Sequence, residues 1–244
     1  MPSSQSRRAE LDRLGAVPFA HRGLHGGALV ENSSGAIAAA VERGYGVELD
    51  VRLSRDGEAM VFHDRHLERL TAAEGPVELL TAAQLQAIPL KTGGEAMPRL
   101  TDALAIVGGR TPLLIEVKAP GRGVERQCAA VAGALKGYRG PAAVMSFNPE
   151  VGGWFARKAP GVLRGLVLSE EGKRGLRGRI ERRLALWRAR ADFLAYDIRD
   201  FPSRFADGAR RRGLPVYTWT VRSDSDRARA AAHADQIIFE APPA

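Results

Sequence analysis

Residues 46–64 read GVELDVRLSRDGEAMVFHD. Val47–Val51 alternates aliphatic and acidic residues, and a period of two marks a strand. Side chains two apart on a strand share a face, so Glu48 and Asp50 project the same way. The Asp56–Gly57 pair is a turn signal. Glu58–Phe62 alternates after it and reads as a hairpin strand returning from the first. Like charges held side by side repel, and burying them unpaired is costly. A hard divalent cation with oxygen ligands, Mg²⁺ or Ca²⁺, relieves that. A salt bridge to Arg22 or Arg52 is the metal-free alternative.

Outward from this stretch, short apolar runs alternate with longer amphipathic ones, the signature of βα units and a parallel sheet. Strands are predicted at Val17–Ala20, Val47–Val51, Leu113–Val117, Ala143–Ser146, Leu166–Leu168, Phe193–Tyr196, Val216–Thr218 and Ile237–Phe239. Helices are predicted at Ser33–Arg43, Thr81–Ala87, Leu100–Val107, Val124–Leu135, Pro149–Lys158, Lys173–Arg190, Ser203–Arg212 and Asp224–Ala232. Eight strands and a length of 244 residues suit one closed α/β barrel of the TIM (β/α)8 type. About fifty residues separate Asp64 from Leu113, too many for a plain crossover helix, so an excursion is expected at the barrel mouth. Residues 1–16 are polar and read as an N-terminal arm outside a domain spanning 17–244.

The net charge of +8, with 36 basic and 28 acidic residues, favours anionic partners such as phosphate esters or lipid headgroups. All but five of the basic residues are arginine, concentrated locally at Arg174–Arg190 and Arg210–Arg212. No nucleic-acid motif accompanies them, so no nucleic-acid partner is expected. The single cysteine, Cys128, excludes an internal disulfide and reads as a buried helix thiol. The N-terminus lacks the apolar core of a signal peptide, and no apolar run approaches a bilayer's width. A cytoplasmic location is therefore expected, with peripheral membrane contact compatible.

Polar residues gather where strands end. Leu114, Glu116 and Lys118 share a face, offering a third carboxylate and a cation for a phosphate oxygen. A simple Glu–Lys pair at the barrel rim is the alternative. His21 and Arg22 close the first strand, where barrel enzymes place catalytic groups; Arg22 offers a bidentate fork and Gly23 a tight turn. His63 and Asp64 end the hairpin strand, the carboxylate either orienting the imidazole or capping the next segment. Phosphodiester cleavage needs a base for the nucleophile and an acid for the leaving alkoxide, and two imidazoles can divide those roles near neutrality. Glu31 and Asn32 precede a serine-capped helix; Asn32 or Ser33 is its N-cap, or Glu31 and Asn32 reach over the mouth to the acidic residues. Trp219 is a pocket wall or rim packing. His25 lies in a glycine-rich loop, whereas His66 and His233 read as surface residues.

The ordered set AHRG at 20–23, EN at 31–32, ELDV at 48–51, DG at 56–57, VFHD at 61–64, IEVK at 115–118, SF at 146–147 and WTV at 219–221 resembles the glycerophosphodiester phosphodiesterase family. Each motif is weak alone; their order and spacing agree over most of residues 17–240. The resemblance implies a TIM barrel with a small insertion after the second strand. It implies Mg²⁺ or Ca²⁺ at Glu48, Asp50 and Glu116, with His21 and His63 as general acid and base. It also implies phosphate contacts from Arg22 and Lys118. The chain departs from the pattern at QIIFEAPPA, residues 236–244, where many relatives carry an aspartate and this sequence has Glu240. The short segment before Leu113 leaves no room for a large capping domain.

The expected reaction is hydrolysis of a glycerophosphodiester to glycerol 3-phosphate and an alcohol, with water or the glycerol 2-OH as nucleophile. A lysophospholipase D-like enzyme docking on anionic membranes is the alternative within the same site. A non-catalytic polyanion-binding barrel is the alternative of another class, and it leaves the three acidic residues without a purpose.

Overall fold

The computed structural model describes residues 4–240. Eight parallel strands close into a barrel: β1 (Phe19–Ala20), β2 (Gly46–Leu53), β4 (Leu113–Val117), β5 (Ala142–Ser146), β6 (Leu163–Leu168), β7 (Phe193–Asp197), β8 (Val216–Val221) and β9 (Gln236–Phe239). β1 pairs in parallel with both β2 and β9, which closes the sheet on itself and leaves no open barrel edge. The hairpin strand β3 (Ala59–Val61) is antiparallel to β2, with Val51 opposite Val61.

Helices return the chain between strands: α2 (Ser34–Glu42), α4 (Leu100–Val107), α5 (Glu125–Ala134), α6 (Pro149–Lys158), α7 (Leu176–Ala189), α8 (Arg204–Arg211) and α9 (Asp224–His233). Their starts are local chemistry. Ser33 Oγ accepts from the Ala36 N–H at 3.1 Å, and Asn148 caps α6 with Pro149 following. Between β3 and α4 runs the expected insertion, carrying the short helix α3 (Ala82–Gln86), which Thr81 and Gln84 close with a reciprocal capping box. The insertion has its own small core, in which Phe62, Leu67, Val77 and Leu85 are fully buried.

Alternation along the strands sorts side chains into two compartments. Outward residues such as Leu49, Ile115 and Leu194 meet the helices. Inward residues fill the barrel's lower half, where Phe193 stacks on Tyr217 with ring centroids 4.9 Å apart. Gly165 makes room there, because a Cβ at that position would sit 2.4 Å from the Phe193 ring. Helix α1 (Ser4–Leu14) closes the floor: Leu14 is fully buried against this cluster. Arg7 pairs with Asp192 and donates to the Val162 carbonyl at 3.0 Å. Below the mouth the inward side chains are mostly apolar, with Gln236 of β9 donating to the Gly15 carbonyl at the floor; the charged inward residues Glu48, Asp50 and Glu116 lie nearer the mouth.

Several boundaries differ from expectation, among them those of β1 and β6. β1 is only two residues long, since Pro18 has no N–H for the ladder. β6 begins at Leu163 rather than Leu166: Arg164 and Gly165 interrupt the apolar run, yet both are paired in the sheet.

Candidate active site

The site begins where β1 ends. The His21 N–H donates to the Phe239 carbonyl at 2.8 Å, the last rung to β9. The backbone then turns through the left-handed region at Arg22 (φ 58°) and Gly23 (φ 77°). A Cβ on Gly23 would lie 2.7 Å from the backbone of Ala36, so the turn packs directly on the start of α2. It aims the Arg22 N–H at Glu48 Oε2, 3.0 Å away. The guanidinium lies between Glu31 (Nη1 to Oε1, 2.7 Å) and Asp50 (Nε to Oδ2, 3.2 Å).

Strand register assembles the acidic group. Glu48 and Asp50 are two apart on β2, and Asp50 lies beside Glu116 of β4. One carboxylate oxygen from each of Glu48, Asp50 and Glu116 lies within 4.8 Å of the others, and all three residues are buried. Burial pushes Glu48 well above the ordinary carboxylate value, and the charges of Asp50 and Glu116 push it further. Burial also raises Glu116, only partly offset by Lys118. Burial acts the same way on Asp50, but Lys118 and Arg22 outweigh it and hold Asp50 below its usual value. Lys118 Nζ reaches Asp50 Oδ1 at 2.9 Å and Glu116 Oε1 at 2.5 Å. Burial disfavours its charge, yet those two carboxylates raise its pKa.

These residues fit a hard divalent cation. The donors are all carboxylate oxygens, and Glu48 Oε1 is buried without a hydrogen-bond partner among the described residues. Asn32 decides its own alternative: Ser33 is the N-cap, and Asn32 turns inward at φ 61°. Its Nδ2 donates to Asp50 Oδ2 at 3.0 Å, and its Oδ1 accepts from the Asp50 N–H at 3.2 Å. It thus fixes the carboxylate that faces the other two.

Both imidazoles have Nδ1 engaged by a carboxylate, which fixes the orientation of each ring. His21 Nδ1 is 2.7 Å from Glu240 Oε1, and its Nε2 is 3.9 Å from Glu48 Oε2. Arg222 in turn holds Glu240, with Nε to Oε2 at 2.5 Å. His63 Nδ1 is 2.7 Å from Asp64 Oδ1, and Arg69 holds Asp64 through a 2.5 Å contact. Arg69 also grips Glu31 at 2.7 and 2.9 Å, tying the His63 arm to the Arg22 arm. Burial pushes the His63 pKa down, with Asp50 opposing.

A cavity of about 530 Å³ opens over these groups, lined among others by His21, Arg22, Glu48, His63, Glu116 and Lys118. Trp219 and Phe147 form an apolar wall, edge to face with centroids 5.5 Å apart, and the Trp219 indole N–H donates to the Ala195 carbonyl at 3.0 Å. Glu31 stands behind Arg22 and does not line the cavity. His66 is exposed, but His233 is only half so: it stacks on Phe201 and meets Asp207 at 3.3 Å. His25 is more enclosed than a loop residue suggests, and burial lowers its pKa. Sequence reasoning missed the arginines behind the histidines, Arg69 and Arg222, and the cavity residues Asp197 and Arg199. Only Glu240 carried a signal, as a carboxylate at the end of a barrel strand.

A carboxylate trio, two imidazoles braced by carboxylates and the side chains of Arg22 and Lys118 meet at the C-terminal mouth of a (β/α)8 barrel, a donor set suited to a hydrolase of phosphate esters. The profile of the Glycerophosphoryl diester phosphodiesterase family matches residues 21–242, and the chain belongs to that family of phosphoric diester hydrolases. It is 28% identical to a glycerophosphodiester phosphodiesterase of Caldanaerobacter subterraneus, over 92% of this chain and 93% of the relative. The structure of an Oleispira antarctica phosphodiesterase in complex with the product sn-glycerol-3-phosphate is similar, with TM-score 0.79, 25% identity and 91% of each chain covered. The glycerophosphodiester phosphodiesterase of Thermotoga maritima shares the fold, with TM-score 0.73 at 24% identity over 91% of this chain and 94% of that one.

Proposed function

We propose that the protein hydrolyses sn-glycero-3-phosphodiesters to glycerol 3-phosphate and an alcohol at this mouth. The observation that carries the reading is the convergence of Glu48, Asp50 and Glu116, oxygens within 4.8 Å, between two imidazoles braced by carboxylates. The sn-glycerol-3-phosphate bound by the Oleispira relative supports the product side of the reaction.

Glu48, Asp50 and Glu116 would hold Mg²⁺ or Ca²⁺, with Asn32 keeping Asp50 in place. Such a cation, when bound, neutralises charge on the phosphoryl oxygens and favours ionisation of the attacking hydroxyl. Arg22 and Lys118 bind the remaining phosphoryl oxygens, and their charges stabilise the transition state more than the ground state. One imidazole accepts the proton of the nucleophile through Nε2 while the other protonates the departing alkoxide. Glu240 and Asp64 hold Nδ1–H in each ring and stabilise whichever imidazolium forms. Trp219 and Phe147 pack against the carbon skeleton of the substrate.

The test is release of glycerol 3-phosphate from glycerophosphocholine and glycerophosphoethanolamine, with Mg²⁺ or Ca²⁺ and after EDTA. Turnover should vanish with the chelator and return with a cation. His21→Ala and His63→Ala should each lower kcat by roughly 10²–10⁴-fold. Full rate in both variants, or indifference to EDTA, would sink the assignment.

A further inference from the structure

Helix α7 carries an apolar stripe that the barrel does not use. Leu176, Ile180, Leu184 and Trp187 are 71%, 49%, 51% and 74% exposed, while most large apolar side chains of the chain are buried. At roughly 100° per residue the four fall within about 80° of the helix circumference. The opposite face, with Gly178, Arg182 and Ala189, is the buried one. The helix is firmly seated: a Cβ on Gly178 would strike the Lys173 carbonyl at 1.8 Å. Arg182 also pairs with Glu170 at 3.1 Å and lies over the Phe205 ring at 5.7 Å. The stripe is therefore a fixed surface feature rather than a frayed core helix.

Arginines flank it on both sides. Arg177 and Arg188 lie along one border, Arg179 and Arg183 along the other. The acidic residue on this helix, Glu181, is paired with Arg177 at 3.0 Å. Arg179 and Arg183 also line an arginine-rich groove of about 530 Å³ with Arg174 and Arg204. Arg199 borders both this groove and the catalytic cavity. β6 runs toward the catalytic mouth, so the Leu176 end of the stripe lies on the catalytic side.

We propose that α7 docks the protein on anionic lipid bilayers, its stripe entering the headgroup boundary and the flanking arginines meeting lipid phosphates. An apolar stripe with tryptophan at one end and arginines on both edges matches an interfacial helix. Arginine stems lie along apolar surface while their heads stay in the polar layer. Charge complementarity favours this over a second copy of the chain, since two such faces would oppose arginine to arginine. The proposal is independent of turnover and goes beyond the hydrolytic reading.

The test is co-sedimentation of the full chain with vesicles of 70% phosphatidylcholine and 30% phosphatidylglycerol, against pure phosphatidylcholine, with tryptophan emission recorded. Binding should be at least tenfold tighter to the anionic vesicles, weaken with salt, and shift emission to the blue. Leu184→Ser/Trp187→Ser and Arg177→Glu/Arg183→Glu should each reduce binding at least tenfold while hydrolysis of soluble substrate and thermal unfolding stay unchanged. No vesicle binding, equal binding to both compositions, or unaltered binding by both variants would overturn the proposal. So would a dimer in sedimentation equilibrium that the serine variant dissolves.

Discussion

Glu48→Gln should make the cation-free protein more stable and the enzyme inactive. Glu48 is fully buried among like charges, and its oxygen lies within 4.8 Å of those on Asp50 and Glu116. Two ionised carboxylates at that distance repel by about 3.5 kcal/mol at an effective dielectric near 20. Two effects reduce the gain from removing one. Lys118 offsets part of the repulsion, and a raised pKa lets Glu48 take up a proton instead of bearing all of it. Glutamine keeps an acceptor for the Arg22 N–H and gives the partnerless Oε1 position a donor facing the remaining carboxylates. A net gain of ~1–2 kcal/mol in EDTA follows, which for a chain of this size raises Tm by roughly 2–8 °C. A cation at a hundred times its Kd adds about 2.7 kcal/mol to the wild type. The variant should lack most of that increment, so the stability order reverses on adding Mg²⁺ or Ca²⁺. Thermal unfolding in EDTA and in each cation, beside glycerol 3-phosphate release, measures both sides. The reasoning is refuted if the variant is less stable than wild type in EDTA, or gains as much from the cation.

Asn32→Ala removes both hydrogen bonds to Asp50 and should weaken the cation's apparent affinity by roughly 10–100-fold, read from the cation dependence of turnover. Leu14→Ala should cost ~2–5 kcal/mol in urea unfolding, because it empties the fully buried plug of the barrel floor; kcat should hold. Asp64 is held down to about 2, burial being outweighed by hydrogen bonds from Arg69 and His63. Its folded pKa is depressed, so its stabilising share is present above the unfolded value of about 3.9 and is lost as pH falls toward about 2. The stability difference between wild type and Asp64→Asn should therefore shrink across that window in urea titrations at stepped pH.

Much of this was legible in one dimension. The two-residue period of ELDV and IEVK put Glu48, Asp50, Glu116 and Lys118 on shared faces at the ends of strands. Alternating β and α periods counted eight strands and located the insertion between Asp64 and Leu113. β6 is predicted short because Arg164 and Gly165 interrupt the apolar run; the Phe193 ring fills the space beside Gly165, and Arg164 is held by Asp192 and the Arg190 carbonyl. His233 looked like a surface residue because its partners Phe201 and Asp207 come from other segments.

Local pattern determines which way a side chain leaves its own strand, since that follows from backbone geometry within a few residues. It does not determine what meets that side chain. The pairing of Asp50 with Glu116 is a matter of strand register. The contact of His21 with Glu240 spans 219 residues and exists because β9 closes the barrel beside β1. The link from Arg69 to both Glu31 and Asp64 depends on how the insertion folds back over the mouth. Closure, register and insertion packing are properties of the whole cylinder; they turn separately readable residues into one charged, braced site.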